Sequence, residues 1–326
     1  MPDWTKSMQR TYEYYLVDPL SWCDKSRITC VKSSTIERDG SEATNGHATL
    51  EVTESLNECY VRIYMVVIQN GVTEKFPLAT VLAQTPGNDF DGKIAIMSVD
   101  AYMPLVELKE TLPPYGFTVM KNANIMENAC KNIQEHMRAP LIITESKKTL
   151  VENFVSNTDD TWLSFNSDLI AKADFSFSTD EMGTVTFSPK RDLEAMQPVV
   201  TFGDDEHSIL QPSISTEYDL YGVPNVVEVI YSGDNQFFKS RIENNDPTSI
   251  TSTVNRGREI LYRDTNPNIT GTVSQSILDT YTKNLLKAKS TLEYKVTFKH
   301  AYYPVRVGDC IRLNYERAGL ENVKVK

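Results

Sequence analysis

The sequence predicts an α+β fold in which two related β domains flank a mixed insert of helices and a hairpin. Three observations carry that prediction. Residues 12–82 alternate short apolar runs with Gly, Asn, Asp and Pro breaks, as closely spaced strands do. From near Ala101 the apolar residues recur at helical spacing instead. Beyond Tyr218 the strand texture returns, interrupted by one helical stretch. The boundaries fall near 108 and 217: 1–108 a first β domain, 109–217 a mixed α/β insert, and 218–326 a second β domain containing a polar loop and a helix. A chain of 326 residues suits two or three domains, because single cores stop growing at about 250–300 residues.

In the first region YEYYLV, RITCVKS, HATLEVTE, YVRIYMVVIQ and FPLATVLA read as strands of a small barrel or sandwich. Asn70-Gly71, between the last two, marks a hairpin because both residues tolerate positive φ. Pro104 occupies the first turn of a short helix in YMPLVELKE, which Pro113-Pro114-Tyr115-Gly116 stops. NIMENACKNIQEHM places Met126, Ala129, Cys130, Ile133 and Met137 on one helix face and ends before Pro140. Thr158-Asp159-Asp160 suits a helix start, capping free amides and opposing the dipole. Trp162, Phe165 and Leu169 follow at helical spacing and read as core residues rather than a ligand box.

Phe175 and Phe177 then alternate, Gly183 turns the chain, and Val185 and Phe187 bring it back as a hairpin. Gly222 and Pro224 form a turn before the buried strand PNVVEVIY, and FFKSRIEN pairs with it across Ser232-Gly233-Asp234-Asn235. Residues 245–271 are polar and suit an exposed connection. A helix from Ser274 to about Lys289 carries Ile277, Leu278, Tyr281 and Leu285 on one face, with Lys283, Lys287 and Lys289 toward its end. The remainder is strand again, and NVKVK breaks off inside an alternating pattern, as in a fragment of something longer.

Composition narrows the chemistry. With 33 basic against 44 acidic side chains the formal charge is −11, which excludes tight phosphate binding by the bulk surface and keeps the chain soluble. Five cysteines without a CxxC pair suggest neither a zinc framework nor a disulfide scaffold, and read as small buried apolar residues. The first ten residues hold no apolar run, and no segment is long and apolar enough to cross a bilayer as a helix, so a reducing cytoplasm is the expected folding compartment.

His47, His136, His207 and His300 stand in no HxxxH or HExxH pattern. Gly203-Asp204-Asp205-Glu206-His207 is the densest titratable cluster, but it lacks the spaced ligands of a calcium loop and reads as a solvated turn. Asp159 with Asp160, and Asp180 with Glu181, are adjacent acids of the kind that cap and solvate; a glycosidase pair is defined by spatial separation instead. No GxSxG, P-loop or GxGxxG occurs, and the sequon Asn268-Ile269-Thr270 has no secretion signal to give it meaning. No catalytic residue, cofactor site or metal ligand is therefore predicted. Arg256, Arg258 and Arg263 in VNRGREILYRDTNPNITG form the notable basic patch, with two readings open: inter-subunit contacts to a partner's carboxylates, or a solvated loop.

One series of motifs runs the length of the chain: YVRIY with FPLATVLAQTP and DAYMPLVELKE, then WLSFNSDLIAKADFSFSTDEMGTVTFSP, SILQPSISTEYDLYGVPNVVEVIYSG, RGREILYRDTNPN and YYPVRVGDCIRLNY. In this order they resemble the baseplate and tail-tip hub proteins of tailed bacteriophages, the family of the T-even central hub, related to the base of the type VI secretion spike. The resemblance implies a non-enzymatic homotrimer in which each chain gives two β-barrel-like tail-tube domains, about Tyr12–Tyr102 and Tyr218–Lys326, flanking the helix/hairpin insert. Three chains then imitate a sixfold ring between the tail tube and the tip. Implied partners are other copies of the chain, a tail tube or distal tail protein, a tape measure protein and a spike or fibre protein, with DNA only in transit through an acidic lumen. The implied location is the virion tail, after assembly in the host cytoplasm. The sequence shows no lysozyme-like, spike or fibre-like extension, so the resemblance carries no wall-degrading or receptor-binding activity to it. Two competing readings are a β-rich carbohydrate-active enzyme and a cytoplasmic adaptor.

Overall fold

Alternating side chains in residues 9–102 build one antiparallel sheet. Its strands are β1 (Gln9–Val17), β2 (Asp24–Ile28), β3 (Val31–Glu37), β4 (His47–Val52), β5 (Cys59–Gln69), β6 (Val72–Phe90) and β7 (Ala95–Tyr102), in the order β2-β1-β5-β6-β7-β4-β3. β2 and β3 form the two edges, yet only Thr29 and Cys30 separate them in the chain. The sheet therefore curls until its edges approach, as an incomplete barrel. Tyr14 Oη and Ser34 Oγ, 3.1 Å apart, bridge β1 to β3 across the opening. Leu50, Val61, Ile63, Ala79, Val81, Val99 and Ala101 fill the interior, the period-two positions of their strands. Asn70 and Gly71 both take positive φ, 51° and 79°, so the predicted hairpin links β5 to β6. β6 pairs with β5 over Val72–Ala83 and with β7 over Leu82–Phe90, so it extends beyond the end of β5.

The computed structural model describes residues 2–326 apart from 91, 93–94, 192, 204–209, 234–235, 266, 268, 270–272, 291 and 293. The acidic cluster at Asp204–His207, Asn268 and Thr270 of the sequon, and Asp234 and Asn235 of the expected turn lie outside the described residues.

The insert is built from α1 (Val106–Lys109), β8 (Thr118–Val119), α2 (Ile125–His136), β9 (Phe154–Val155), α3 (Trp162–Ala171), β10 (Phe175–Thr179) and β11 (Val185–Pro189). Its core is its own: Met126, Ala129 and Ile133 of α2 meet Trp162, Phe165 and Leu169 of α3, the faces that helical spacing predicts. The start of α3 differs from expectation. Thr161, not the Thr158–Asp160 triplet, is the cap: its Oγ1 accepts from the Ser164 amide and its own amide donates to Ser164 Oγ, a reciprocal capping box. Thr161 is the last extended residue before the first turn, so its hydroxyl lies over the free amides, while Asp160 turns back to accept from the Asn157 amide.

β12 (Val200–Gly203) follows. The chain then forms β13 (Leu210–Tyr218), β14 (Val226–Gly233), β15 (Gln236–Glu243), α4 (Thr253–Arg256), β16 (Leu261–Asp264), α5 (Gln275–Ser290) and β17 (Tyr294–His300), and ends in β18 (Ile311–Tyr315) and β19 (Leu320–Val325). β18 lies parallel to β12 and antiparallel to β19. Contacts divide the chain into two compact units, 1–209 with 302–326, and 210–301.

In the second unit, strands order as β15-β14-β16, and α5 covers one face through Val227, Val229, Leu278 and Leu286. The polar stretch 245–271, expected as a bare connection, contains α4 and β16, and β16 pairs parallel with β14. Leu261, Tyr262 and Arg263 are all exposed on this edge strand, so no apolar pattern announces it.

Two glycines provide a test. Gly183 has φ +78°, and a Cβ there would lie 2.9 Å from Thr80 Cβ and 3.0 Å from the Trp22 ring; Gly116, at φ +71°, faces open space. Urea denaturation of Gly116→Ala is expected to show only the left-handed backbone cost, about 1 kcal/mol. Gly183→Ala adds the overlap and is expected to lose about 2–4 kcal/mol. Equal losses would contradict the close packing at Gly183.

Candidate functional site

A charge in a protein interior persists only if its hydrogen bonds are met. β5 carries such a charge: Arg62, 1% exposed, within the otherwise apolar run Tyr60–Val67. Its Nε donates to Thr80 Oγ1 at 2.9 Å, Nη1 to Asp24 Oδ1 at 2.7 Å, and Nη2 to the carbonyls of Trp22 at 3.1 Å and Met182 at 3.2 Å. Four of the five guanidinium donors are thus placed. The Met182 carbonyl belongs to the β10–β11 turn, so the guanidinium ties the insert hairpin to the sheet. Trp22 Nε1 donates to the same carbonyl at 2.8 Å, and Thr80 Oγ1 donates to the Glu181 carbonyl at 3.1 Å.

Arg38 adds a second clamp, donating to the carbonyls of Thr179, Asp180 and Leu78, and burial pushes its pKa down. Gly183 fits where any Cβ would overlap Thr80, which explains its place at the turn. Below the socket, Tyr60 donates to Glu107 Oε1 at 2.7 Å, and Arg138 pairs with the same carboxylate. Burial first, and then the Glu107 charge, hold the Tyr60 hydroxyl protonated well above its ordinary range. The acids weighed as paired carboxylates have structural partners: Asp180 Oδ1 accepts from the Thr184 amide at 2.8 Å, and Glu181 takes both ends of Arg306 at 2.8 Å.

The three arginines singled out in the sequence occupy different environments. Arg256, the last residue of α4, donates to the carbonyls of Val223 and Leu220 at 2.9 and 3.0 Å and braces the turn before β14. Arg258 is exposed, and its side chain has no hydrogen-bond or ion-pair partner among the described residues. Arg263, on β16, meets Glu228 of β14 at 2.6 Å, and Lys239 of β15 meets the other carboxylate oxygen at 2.5 Å. The Glu228 side chain is 6% exposed, and the hydrogen bonds from Lys239 and then Arg263 hold its pKa below the usual carboxylate range.

Sequence reasoning singled out neither Arg62 nor Arg38. The available signal was one arginine interrupting an apolar strand; its partners lie up to 120 residues away. Among the described residues no three His, Cys, Asp or Glu side chains are grouped so as to hold a metal ion. His136 stacks on Trp162 with ring centroids 4.1 Å apart and hydrogen-bonds the Asn132 carbonyl, an ordinary helix-end arrangement. No helix of the described residues is long and apolar enough to cross a membrane.

No protein-family model matches the chain, and no curated protein matches its sequence. Solved structures do share its fold. The chain is similar to a tail protein from Neisseria meningitidis, with a TM-score of 0.67 at 10% identity over 97% of this chain and 89% of that one. The 43 kDa tail protein of prophage MuSo2 from Shewanella oneidensis gives 0.65 at 10% identity, covering 95% and 90%. A chain of the Francisella PdpA–VgrG complex gives 0.55 at 9% identity, with 98% of this chain matching 48% of that one. The sheet-rich α+β architecture is thus that of phage tail proteins.

Two variants test the polar joints. Arg62→Met removes the guanidinium donors to the Trp22 carbonyl and Asp24 Oδ1 and leaves Asp24 without its counter-charge, and is expected to cost about 3–5 kcal/mol in urea unfolding; an unchanged midpoint would show that the socket bears no stability. For Glu228 the sign is set by its lowered pKa: its contribution is present above the unfolded-state pKa and lost as pH falls through the folded one. Glu228→Gln is expected to be less stable than the parent at pH 7 and to lose less on going to pH 3. Parallel pH curves for the two proteins would exclude that role.

Proposed function

We propose that the chain is a structural, non-enzymatic hub of a phage tail baseplate. Three copies form a pseudo-sixfold ring that joins the tail tube to the tail tip and lets DNA pass. The observation that carries this reading is the extent of the fold match: 97% of the chain aligns with a tail protein, so the likeness is to the whole architecture and not to one module. Each chain contributes two tube-like β domains, divided from the insert at about residues 108 and 217. The open sheet edges of the first are the kind of surface that ring closure pairs. The ring's neighbours are a tail tube or distal tail protein above, a tape measure protein within, and a spike or fibre protein below. The protein is assembled in the host cytoplasm and resides at the virion tail tip.

Arg258 supplies an inter-subunit contact, with the outer parts of Arg256 and Arg263 beside it, because its guanidinium is exposed and has no partner among the described residues of its own chain. A second reading, the base of a contractile-injection spike, draws support from the similarity to the PdpA–VgrG complex, and places the same ring on a different machine.

Mass photometry of the purified chain tests the proposal. A stable species of three chains supports it, whereas a monomer that hydrolyses peptidoglycan or polysaccharide overturns it in favour of an enzyme. Arg258→Glu is expected to weaken trimer formation by about tenfold while leaving the urea midpoint of the monomer unchanged. A trimer indifferent to that charge reversal removes Arg258 from the interface.

A further inference from the structure

We propose that Asn70-Gly71, the loop between β5 and β6, is a self-modifying site at which the asparagine becomes an isoaspartyl link and releases the N-terminal segment from the sheet. The chain holds two Asn-Gly steps, Asn45-Gly46 and Asn70-Gly71, and all four residues have positive φ. Before glycine, an asparagine side chain is open to attack by the following backbone amide, because glycine has no Cβ to hinder the approach. The step needs only water. The Gly71 amide nitrogen bonds to Asn70 Cγ, the carboxamide nitrogen leaves as ammonia with the amide proton, and a cyclic imide remains. Water then adds to either imide carbonyl. One opening gives aspartate; the other gives isoaspartate, in which the main chain runs through Cβ and Cγ.

Geometry separates the two steps. Asn70 and Gly71 are both exposed, they alone lie outside the β5–β6 ladder that ends with Gln69 opposite Val72, and a Cβ at Gly71 would meet nothing within 4 Å. Gly46 is buried instead, and a Cβ there would lie 2.1 Å from the Glu37 carbonyl oxygen. Asn45 Nδ2 donates to the Glu42 carbonyl at 3.5 Å, and its Oδ1 is shut off from solvent. The water that must open the imide therefore reaches Asn70 and not Asn45, and the backbone rotation that brings amide to carbonyl is free only at the first.

The residue before the loop gives the reaction its consequence. Gln69 Oε1 accepts from the Asp3 amide at 2.7 Å, and its Nε2 donates to the carbonyls of Asp3 at 3.0 Å and Ser7 at 3.4 Å. Between those two anchor points Trp4 packs against Phe76 of β6 and against Tyr302, with ring centroids 5.3 and 5.2 Å apart. One glutamine thus straps the N-terminal segment to the sheet. Conversion to aspartate keeps the two-residue loop, since Asp-Gly suits such a hairpin as Asn-Gly does. Isoaspartate adds a carbon to the main chain of the loop, and loop length fixes the register of the strands it joins. Gln69 meets that misfit first, so its hold on Asp3 and Ser7 is lost.

Ageing the purified chain at mildly alkaline pH tests the site. Peptide mapping with fragmentation that distinguishes isoaspartate from aspartate reads the chemistry, and hydrogen exchange of the N-terminal peptide reads the release. Asn70 is expected to convert about tenfold or more faster than Asn45, because a group held away from the attacking geometry reacts far more slowly. The isoaspartyl form is expected to exchange residues 3–7 about tenfold faster than the fresh chain. Repair of isoaspartate to aspartate by an isoaspartyl methyltransferase is expected to restore the protection. An Asn70→Asp variant aged in parallel carries the charge without the extra carbon and is expected to exchange as the fresh chain does. Equal conversion at the two asparagines, or none at Asn70, overturns the site. Isoaspartyl protein with residues 3–7 still protected overturns the release, and so does an Asn70→Asp variant that exchanges as fast as the isoaspartyl form.

Discussion

A single buried guanidinium sets the architecture of the first unit. Arg62 sits where a strand of apolar residues would otherwise run uninterrupted, and it is closed off from bulk solvent. It must therefore find its partners in the chain, and it finds them in four places: the neighbouring strand β6, the start of β2, the loop before β2, and the turn of the insert hairpin. Apolar layers can slide over one another at small cost, but donors aimed at named carbonyls admit one arrangement. Arg38 repeats the device from the other side of the turn, and Trp22 accepts a left-handed backbone, φ 57°, to deliver both its carbonyl and its indole to the joint. The sheet and the helical insert have separate main cores, joined by a small apolar cluster of Val17, Tyr60, Leu82 and Val106 with Trp22, and the polar joint at the hairpin turn adds direction to that contact.

The two units also differ in charge. Residues 210–301 carry 10 Lys and Arg against 10 Asp and Glu, so the remaining residues hold 23 against 34 and the whole of the net −11. Around the buried Glu228 the second unit gathers Lys239 and Arg263, each half exposed, on a face of an otherwise neutral module.

What could be read from the sequence was local. Asn70-Gly71 declared its hairpin because few residues other than Asn and Gly take positive φ twice in succession, and the Met126–Ile133 and Trp162–Leu169 spacings declared their helices because burial follows the 3.6-residue turn. The likeness of the ordered motifs to phage hub proteins agrees with the fold of known tail proteins. Non-local features escaped. β16 is an exposed edge strand and has no apolar signature, so its stretch looked like loop. Thr161 caps α3 because of where extended backbone ends, which the acidic triplet before it concealed. The contact of Arg62 with Met182, and the return of residues 302–326 to the first unit, depend on pairings over a hundred residues apart that leave no periodic trace.

That return has a consequence for how the chain is made. β12 is synthesised near residue 200, but its strand partner β18 begins at Ile311, so β12 leaves the ribosome with no place to dock. During the intervening synthesis the nascent chain can finish the curled sheet, the helical insert and the 210–301 unit in turn, while the seam between β12 and β18 stays unmade. Completion of the first unit thus waits for β18 to emerge after the 210–301 unit has been made, a built-in order in which the earlier strand is held in reserve for the later one.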